Sequence, residues 1–149
     1  MPSLRLSRES FLLKKLIRYN KDMSKKYSIL IVDDDKFLLD MYRKKFERDG
    51  ATADVAVGSD EALNKLRGGA KPDVLVLDII MPSMDGIELL EAIRKEKLAP
   101  DATVVMLTNE SNRERIDKAK TLGIKGYIVK ATSIPSEVIE KIKEIANLK

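Results

Sequence analysis

The segment Ile29–Asp35 reads Ile-Leu-Ile-Val-Asp-Asp-Asp, four apolar residues followed directly by three acids. An apolar run that ends at one polar side chain recurs at Val74–Asp78, Val104–Thr108 and Tyr127–Lys130. Short runs rich in Val, Ile and Leu are typical of strands buried on both faces of a parallel sheet. Helical patterns of about ten to fifteen residues separate these runs, so the sequence predicts an α/β fold built on a parallel sheet.

From residue 28 onward, the predicted strands and helices alternate strictly. Strands are predicted at 28–33, 52–57, 73–78, 103–107 and 126–129, and helices at about 36–49, 60–67, 87–97, 112–121 and 135–147. Ser59 is the predicted N-cap of the second helix, because a serine oxygen can accept a bond from a free backbone N–H at a helix start. Pro135 suits the first turn of the last helix. The pattern amounts to five βα units.

The polar residues that follow the apolar runs mark the expected site. In a parallel α/β sheet, ligands bind outside the carboxyl ends of the strands. We therefore expect one edge of the sheet to bring together carboxylates, one hydroxyl and one ammonium group, from Asp33, Asp34, Asp78, Thr108 and Lys130.

Composition restricts the chemistry of such a site. The 149 residues contain no cysteine and no histidine, which excludes disulfides, thiolate chemistry, imidazole bases and Cys- or His-ligated metals. Hard oxygen ligands remain, and these suit Mg²⁺. The length suits a single domain, and the absence of cysteine agrees with a cytoplasmic location.

Charge is distributed unevenly along the chain. Residues 1–26 hold eight Lys or Arg and two Asp or Glu, a net charge of +6, whereas residues 27–149 hold twenty and twenty-two, a net charge of −2. A body near neutrality gives no electrostatic reason to expect direct nucleic-acid binding. We expect a flexible or partly helical basic extension at 1–26, with Leu12, Leu13, Leu16 and Ile17 at helical spacing and no run long enough to span a membrane.

Consecutive carboxylates beyond a strand end point in different directions, so Asp33 and Asp34 cannot both be core residues. With Asp78 they supply the hard oxygens of a Mg²⁺ site. Alternatively, Asp33 to Asp35 cap the following helix.

Asp78 stands at the end of an apolar strand. An aspartate in such a place can act as a covalent nucleophile that accepts a phosphoryl group, with Lys130 neutralising its charge and Thr108 donating a hydrogen bond. The alternatives are a turn cap for Asp78, a strand-end cap for Thr108 and a solvated surface position for Lys130.

Taken together, Ile29–Asp35, Val74–Gly86 with its Leu-Asp-Ile-Ile-Met-Pro-Ser-Met-Asp-Gly motif, Leu107-Thr108 and Gly126–Lys130 closely resemble the receiver domain of two-component response regulators. The resemblance covers about residues 27–148. It implies a flavodoxin-like three-layer sandwich with a doubly wound, five-stranded parallel sheet of order 2-1-3-4-5. The type it suggests is a stand-alone regulator like those of chemotaxis, with the domain at 27–149.

The same resemblance implies a role for each site residue. Asp33 and Asp34 would be the acidic pair for Mg²⁺, joined by Asp78 and by the backbone carbonyl of Ile80. Asp78 would be the phosphoacceptor.

Three further residues take part in signalling by the same resemblance. Lys130 would pair with the phosphate, Thr108 would be the switch hydroxyl and Tyr127 the aromatic switch.

Two features depart from the family pattern. Receivers usually have proline after the lysine, often through a cis peptide bond, and here Ala131 follows Lys130. Ile80 and Glu110, two residues beyond Asp78 and Thr108, match family positions that tune phosphoryl lifetime, and Ile80 offers no side-chain hydrogen bond to an attacking water.

The resemblance also implies the partners. A histidine kinase or a histidine phosphotransfer protein would donate the phosphoryl group, since this chain has no histidine, and a small phosphodonor is an alternative source. The activity would be limited to the chain's own phosphorylation and dephosphorylation. A helical face near the fourth and fifth strands would report to a downstream protein, and a phosphorylation-dependent homodimer is compatible with the family.

Four other classes of function compete with this interpretation. A phosphatase of the haloacid dehalogenase type needs a second aspartate two residues after the nucleophile, where Ile80 stands. A flavin or dinucleotide domain needs a Gly- or hydroxyl-rich first loop in place of Asp33–Asp35. A scaffold that is never phosphorylated would have no use for all five site residues, and a nucleic-acid binder would depend on residues 1–26 alone.

Overall fold

Five parallel strands form the centre of the molecule, which is described by a computed structural model at residues 8–17 and 27–148. The strands are β1 (Ser28–Asp33), β2 (Thr52–Val57), β3 (Val74–Leu77), β4 (Thr103–Thr108) and β5 (Gly126–Val129). They lie in the order β2-β1-β3-β4-β5, all parallel. The predicted sheet order is confirmed.

Five helices connect and follow the strands: α1 (Lys36–Arg48), α2 (Ser59–Arg67), α3 (Gly86–Lys95), α4 (Arg113–Thr121) and α5 (Pro135–Ile145). A single 3₁₀ turn, Lys130–Thr132, lies between β5 and α5. The five strands and five helices were all predicted from the sequence, with ends that differ by at most two residues, whereas the 3₁₀ turn was not predicted.

Each strand contributes side chains to two separate cores, because successive residues of a strand point to opposite faces. Leu75 and Leu77 of β3 pack under α2, α3 and α4, whereas Val74 and Val76 pack under α1 and α5. The fold is therefore the expected three-layer sandwich, and its central strands are apolar on both sides.

The strand register decides which polar residues become neighbours. Val32 pairs with Leu77, so Asp33 and Asp78 follow at the same level of two adjacent strands. Thr108 pairs with Val129, the residue before Lys130. The carboxyl ends of β1, β3, β4 and β5 thus form one edge, as predicted.

The start of α2 differs from the prediction. Gly58 occupies the N-cap position, with φ of +90°, and Ser59 is the first residue of the helix. The Ser59 hydroxyl donates to the backbone carbonyl of Met84 at 2.7 Å instead. Ser59 was wrongly predicted as the cap because a tertiary hydrogen bond to a distant loop uses its side chain, and sequence spacing does not reveal such a partner.

Residues 8–17 are helical, and all ten are exposed. Leu12, Leu13, Leu16 and Ile17 lie within this helix, as their spacing predicts. Residues 1–7 and 18–26, the rest of the basic extension, lie outside the described part of the chain. Across 8–17 and 27–148, the structure contains no helix with the length and apolar character needed to cross a bilayer.

Candidate functional site

Three carboxylates converge where β1 and β3 end. Asp33 is the last residue of β1 and is buried, Asp78 directly follows β3 and is also buried, and Asp34 is exposed. One oxygen from each of the three carboxylates lies within 4.8 Å of the others. The structure therefore brings together the acids that the sequence singled out.

Lys130 reaches across from the end of β5 to this cluster. Its Nζ lies 2.5 Å from Asp33 Oδ2 and donates to Asp78 Oδ2 at 2.9 Å. The lysine side chain is 17% exposed, so its charge is poorly screened by water. Burial alone would lower the pKa of Lys130, but the hydrogen bonds to Asp33 and Asp78 outweigh it and raise that pKa.

The two buried carboxylates are held by backbone donors as well. Asp33 Oδ1 accepts from the backbone N–H of Asp35 at 3.0 Å, and Asp78 Oδ1 accepts from that of Ile80 at 3.2 Å. Burial raises the pKa of Asp33, and the nearby charge of Asp78 acts in the same direction, against the lowering effect of Lys130. Asp33 and Asp78 are thus buried carboxylates whose negative charge needs a nearby cation.

The donor set fits a divalent cation. Mg²⁺ binds hard oxygen ligands and typically takes one or two protein carboxylates together with water and phosphate oxygens. Asp33, Asp34 and Asp78 would hold it, and the carboxylates present no nitrogen or sulfur donors that favour other metals.

Asp35 has a different task from its two neighbours. Its Oδ1 accepts from the backbone N–H groups of Phe37 and Leu38, at 3.0 and 3.1 Å, and so caps α1. The helix-capping alternative is therefore correct for Asp35, whereas Asp33 and Asp34 belong to the acid cluster.

Thr108, the last residue of β4, is fully buried at the same edge. Its Oγ1 accepts a hydrogen bond from the backbone N–H of Glu110 at 3.2 Å. The hydroxyl of Tyr127 donates to the backbone carbonyl of the same Glu110. Thr108 and Tyr127 therefore share one partner, a connection that their positions in the sequence do not reveal.

Residues 29–143 match the family model of the response regulator receiver domain. The chain belongs to that family. Receiver domains are signalling domains of two-component systems, and the acid cluster described above lies within the matched region.

Curated relatives of this receiver domain include both transcriptional and chemotaxis regulators. It is 37% identical over 125 residues to the alkaline phosphatase synthesis transcriptional regulatory protein PhoP of Bacillus subtilis, covering 83% of this chain and 49% of that protein. It is 38% identical over 123 residues to the chemotaxis protein CheY of Pseudomonas aeruginosa, covering 80% and 98%. The chain thus spans about half the length of the transcriptional regulator.

Solved structures show the same fold. A CheY-like response regulator receiver domain protein from Methanospirillum hungatei superposes with a TM-score of 0.75 at 32% identity, covering 83% of this chain and 95% of that one. The response regulator TrrA of Thermotoga maritima, solved in complex with Mg²⁺ and BeF, gives a TM-score of 0.67 at 33% identity, covering 80% and 98%.

The loop after β3 is fixed in this receiver domain by a close backbone contact. Gly86 is the first residue of α3, and its N–H donates to the carbonyl of Ile79 at 2.8 Å. A Cβ at position 86 would lie 2.0 Å from the Asp78 carbonyl oxygen. The glycine is required because α3 begins directly against the backbone of Asp78. The Ile80 side chain is exposed, and the proposed role of its carbonyl as a metal ligand stays a prediction.

Ala131 replaces the usual proline of the family, and the structure gives this departure a local reason. The Lys130–Ala131 peptide bond is trans. The Ala131 N–H, which proline would lack, donates to Asn109 Oδ1 at 2.8 Å. Asn109 immediately follows Thr108, so this bond ties the loop that carries Lys130 to the end of β4. The polar side chain of Asn109 directly after Thr108 was the one sequence signal for its contact with Ala131, and the contact was not predicted.

Arg115 is a second residue that sequence reasoning missed. Its guanidinium group bridges Asp85 and Glu110, two acids from different loops of this edge. An arginine on a charge-rich helix predicts only a solvated surface, so no pattern in the sequence pointed to Arg115.

Proposed function

We propose that Asp78 is the phosphoacceptor of this receiver domain. The observation that supports this most strongly is the position of its carboxylate, which lies buried at the central edge of the sheet and is hydrogen-bonded to Lys130 beside Asp33. A buried carboxylate that is matched by a cation and lies next to a metal-binding acid pair has the environment that in-line phosphoryl transfer requires.

In the proposed reaction, an Asp78 oxygen attacks the phosphorus of a phosphohistidine. The new O–P bond forms as the P–N bond breaks, and the imidazole nitrogen of the donor leaves with the electron pair. Lys130 balances the negative charge on the phosphoryl oxygens, and the Thr108 hydroxyl donates a hydrogen bond to one of them. Mg²⁺ bound to Asp33, Asp34 and Asp78 would supply further positive charge at those oxygens.

The phosphohistidine lies outside these 149 residues, because they contain no histidine. We propose a histidine kinase or a histidine phosphotransfer protein. Within 27–148, the exposed large apolar side chains all lie at or shortly after the carboxyl ends of strands, where such a donor has to approach; they are Phe37, Val57, Ile80 and Ile134. This concentration of apolar surface around the acids supports docking of a protein donor.

The proposed output passes from Thr108 to the surface. As Thr108 turns toward the phosphoryl group, Tyr127 rotates inward, and the shared partner Glu110 links the two movements. The responding face comprises α4, β5 and α5. We propose that this face binds a downstream protein. We also propose that residues 27–149 act as a single-domain cytoplasmic regulator, with residues 1–26 outside the domain, and that homodimerisation depends on phosphorylation.

Intact-mass measurement after incubation with acetyl phosphate and Mg²⁺ tests the assignment. The wild type should gain about 80 Da, the mass of one phosphoryl group, and Asp78→Asn should gain nothing, because the amide is nearly isosteric but not nucleophilic. Asp54→Asn is the matched control, since Asp54 is an exposed carboxylate paired with Lys65 on the edge strand β2. Undiminished labelling of Asp78→Asn would reject Asp78 as the acceptor.

A further inference from the structure

Helix α4 is weakly anchored by apolar contacts. Within Arg113–Thr121, Ala119 is the one buried residue. Charged contacts join the helix to its neighbour α3: Lys118 lies 2.8 Å from Glu91, and Arg115 lies 2.7 Å from Asp85. A helix with so little buried apolar surface depends on such contacts for its position.

Arg115 differs from Lys118 because it holds two acids at once. Its Nε donates to Glu110 Oε2 at 2.9 Å, and its terminal Nη2 donates to Asp85 Oδ2 at 2.7 Å. The planar guanidinium fork fixes the directions of its N–H groups toward the two carboxylates, whereas a lysine ammonium is a point charge on a flexible stem. Both acids are mostly buried, at 15% and 19% exposed, so the two ion pairs are only partly screened by water.

The two acids belong to segments that border the phosphoacceptor. Asp85 caps α3 through Oδ1, which accepts from the backbone N–H groups of Ile87 and Glu88. Arg115 donates to the other carboxylate oxygen, Oδ2, so Asp85 caps the helix and pairs with Arg115 at the same time. The helix that begins after Asp85 starts at Gly86, directly against the Asp78 backbone.

Glu110 connects the same arginine to the switch hydroxyl. The Glu110 N–H donates to Thr108 Oγ1, and the Glu110 carbonyl accepts from Tyr127. A threonine hydroxyl has one proton to donate. Because the Glu110 N–H donates to the Thr108 oxygen, the threonine proton remains available for a phosphoryl oxygen.

From these contacts we infer that Arg115 is a positioning residue for phosphoryl binding. It ties the loop after β4 to the cap of α3 and thereby holds Glu110 where its N–H orients Thr108. The inference rests on the proposed function of Asp78 and adds a residue outside the acid cluster that sets how well the site accepts a phosphoryl group.

The test is the affinity for beryllofluoride, a phosphoryl mimic, measured in the full chain with saturating Mg²⁺. Arg115→Ala should weaken beryllofluoride binding about two- to fivefold, the range expected when partly exposed ion pairs are removed. Asp85→Asn, which keeps a capping side chain, and Glu110→Gln should each give part of the same loss. Arg115→Lys should be intermediate, because it keeps the positive charge but lacks the planar fork that holds both acids in fixed directions.

Two controls separate positioning from general damage to the fold. Lys118→Ala removes a single, more exposed ion pair from the same helix and should leave beryllofluoride affinity unchanged. Mg²⁺ affinity without beryllofluoride should stay equal to wild type in every variant, because the acid cluster is untouched. Adding Asp85→Asn to Arg115→Ala should cause no further loss of beryllofluoride affinity, since both substitutions remove the same ion pair between Arg115 and Asp85.

Amide hydrogen exchange in the unliganded protein tests the positioning without any phosphoryl group. The Glu110 amide should exchange several times faster in Arg115→Ala than in wild type or Lys118→Ala. Unchanged exchange at Glu110, or beryllofluoride affinity equal to wild type, overturns the inference about Arg115. Beryllofluoride binding that survives in Asp78→Asn would instead reject the proposed phosphoacceptor, and the exchange measurement would still decide the role of Arg115.

Discussion

Replacing Lys130 with methionine removes the ammonium group that lies 2.5 Å from Asp33 Oδ2 and 2.9 Å from Asp78 Oδ2. The methionine side chain has similar length, so packing changes little. Two carboxylates that are only 3% and 5% exposed are then left facing each other without a cation. The variant therefore isolates the electrostatic contribution of Lys130 to the stability of the fold.

The size of the effect follows from burial. Removing one partner of a buried ion pair costs about 3–5 kcal/mol, and the 17% exposure of Lys130 favours the lower end. For a domain of this size, a loss of about 3 kcal/mol corresponds to a fall of about 12 °C in melting temperature. Added Mg²⁺ should recover much of the loss, because it binds the same carboxylates and supplies the missing positive charge.

Urea unfolding followed by circular dichroism, with EDTA and then with excess Mg²⁺, measures both effects. Lys65→Met is the matched control: Lys65 pairs with Asp54 at 2.8 Å, but that carboxylate is 59% exposed, so the loss should stay below about 1 kcal/mol. If Lys130→Met is as stable as Lys65→Met in EDTA, or if Mg²⁺ stabilises it no more than wild type, the electrostatic reasoning about this site is wrong.

Three further predictions concern the metal, the extension and the switch. Asp34→Ala should weaken Mg²⁺ binding, measured by calorimetry, about tenfold, or about 1.4 kcal/mol. Without metal this variant should be at least as thermally stable as wild type, because clustered carboxylates repel one another. Equal Mg²⁺ affinity in the variant and the wild type would exclude Asp34 as a ligand. Deleting residues 1–22 should leave phosphorylation and melting temperature almost unchanged, since residues 8–17 are exposed and an exposed segment contributes little burial. A large loss of stability would show that the extension packs on the body. Thr108→Ala should still bind beryllofluoride but lose most of the NMR shifts in α4, β5 and α5; shifts that persist there would refute coupling through the threonine hydroxyl.

Much of the fold and the polar cluster could be inferred from the chain before the structure was known. Apolar runs such as Val74–Leu77 are typical of strands buried on both faces, and a polar residue directly after such a strand lies at its end. The positions of Asp33, Asp78, Thr108 and Lys130 at one edge follow from this local rule together with the parallel order of the strands.

The contacts that complete the site were decided by tertiary structure. Arg115 meets Asp85, and the Ala131 N–H meets Asn109, only because α4 and the loop after β5 come to rest beside particular neighbours. Ser59 has a hydroxyl that suits a helix cap, but a distant carbonyl uses it. The spacing of apolar residues in the sequence predicts which face of a strand or helix is buried, because each buried position favours an apolar residue independently of the others. A hydrogen bond between different elements depends on distances of a few tenths of an ångström, which the packing of the whole domain determines.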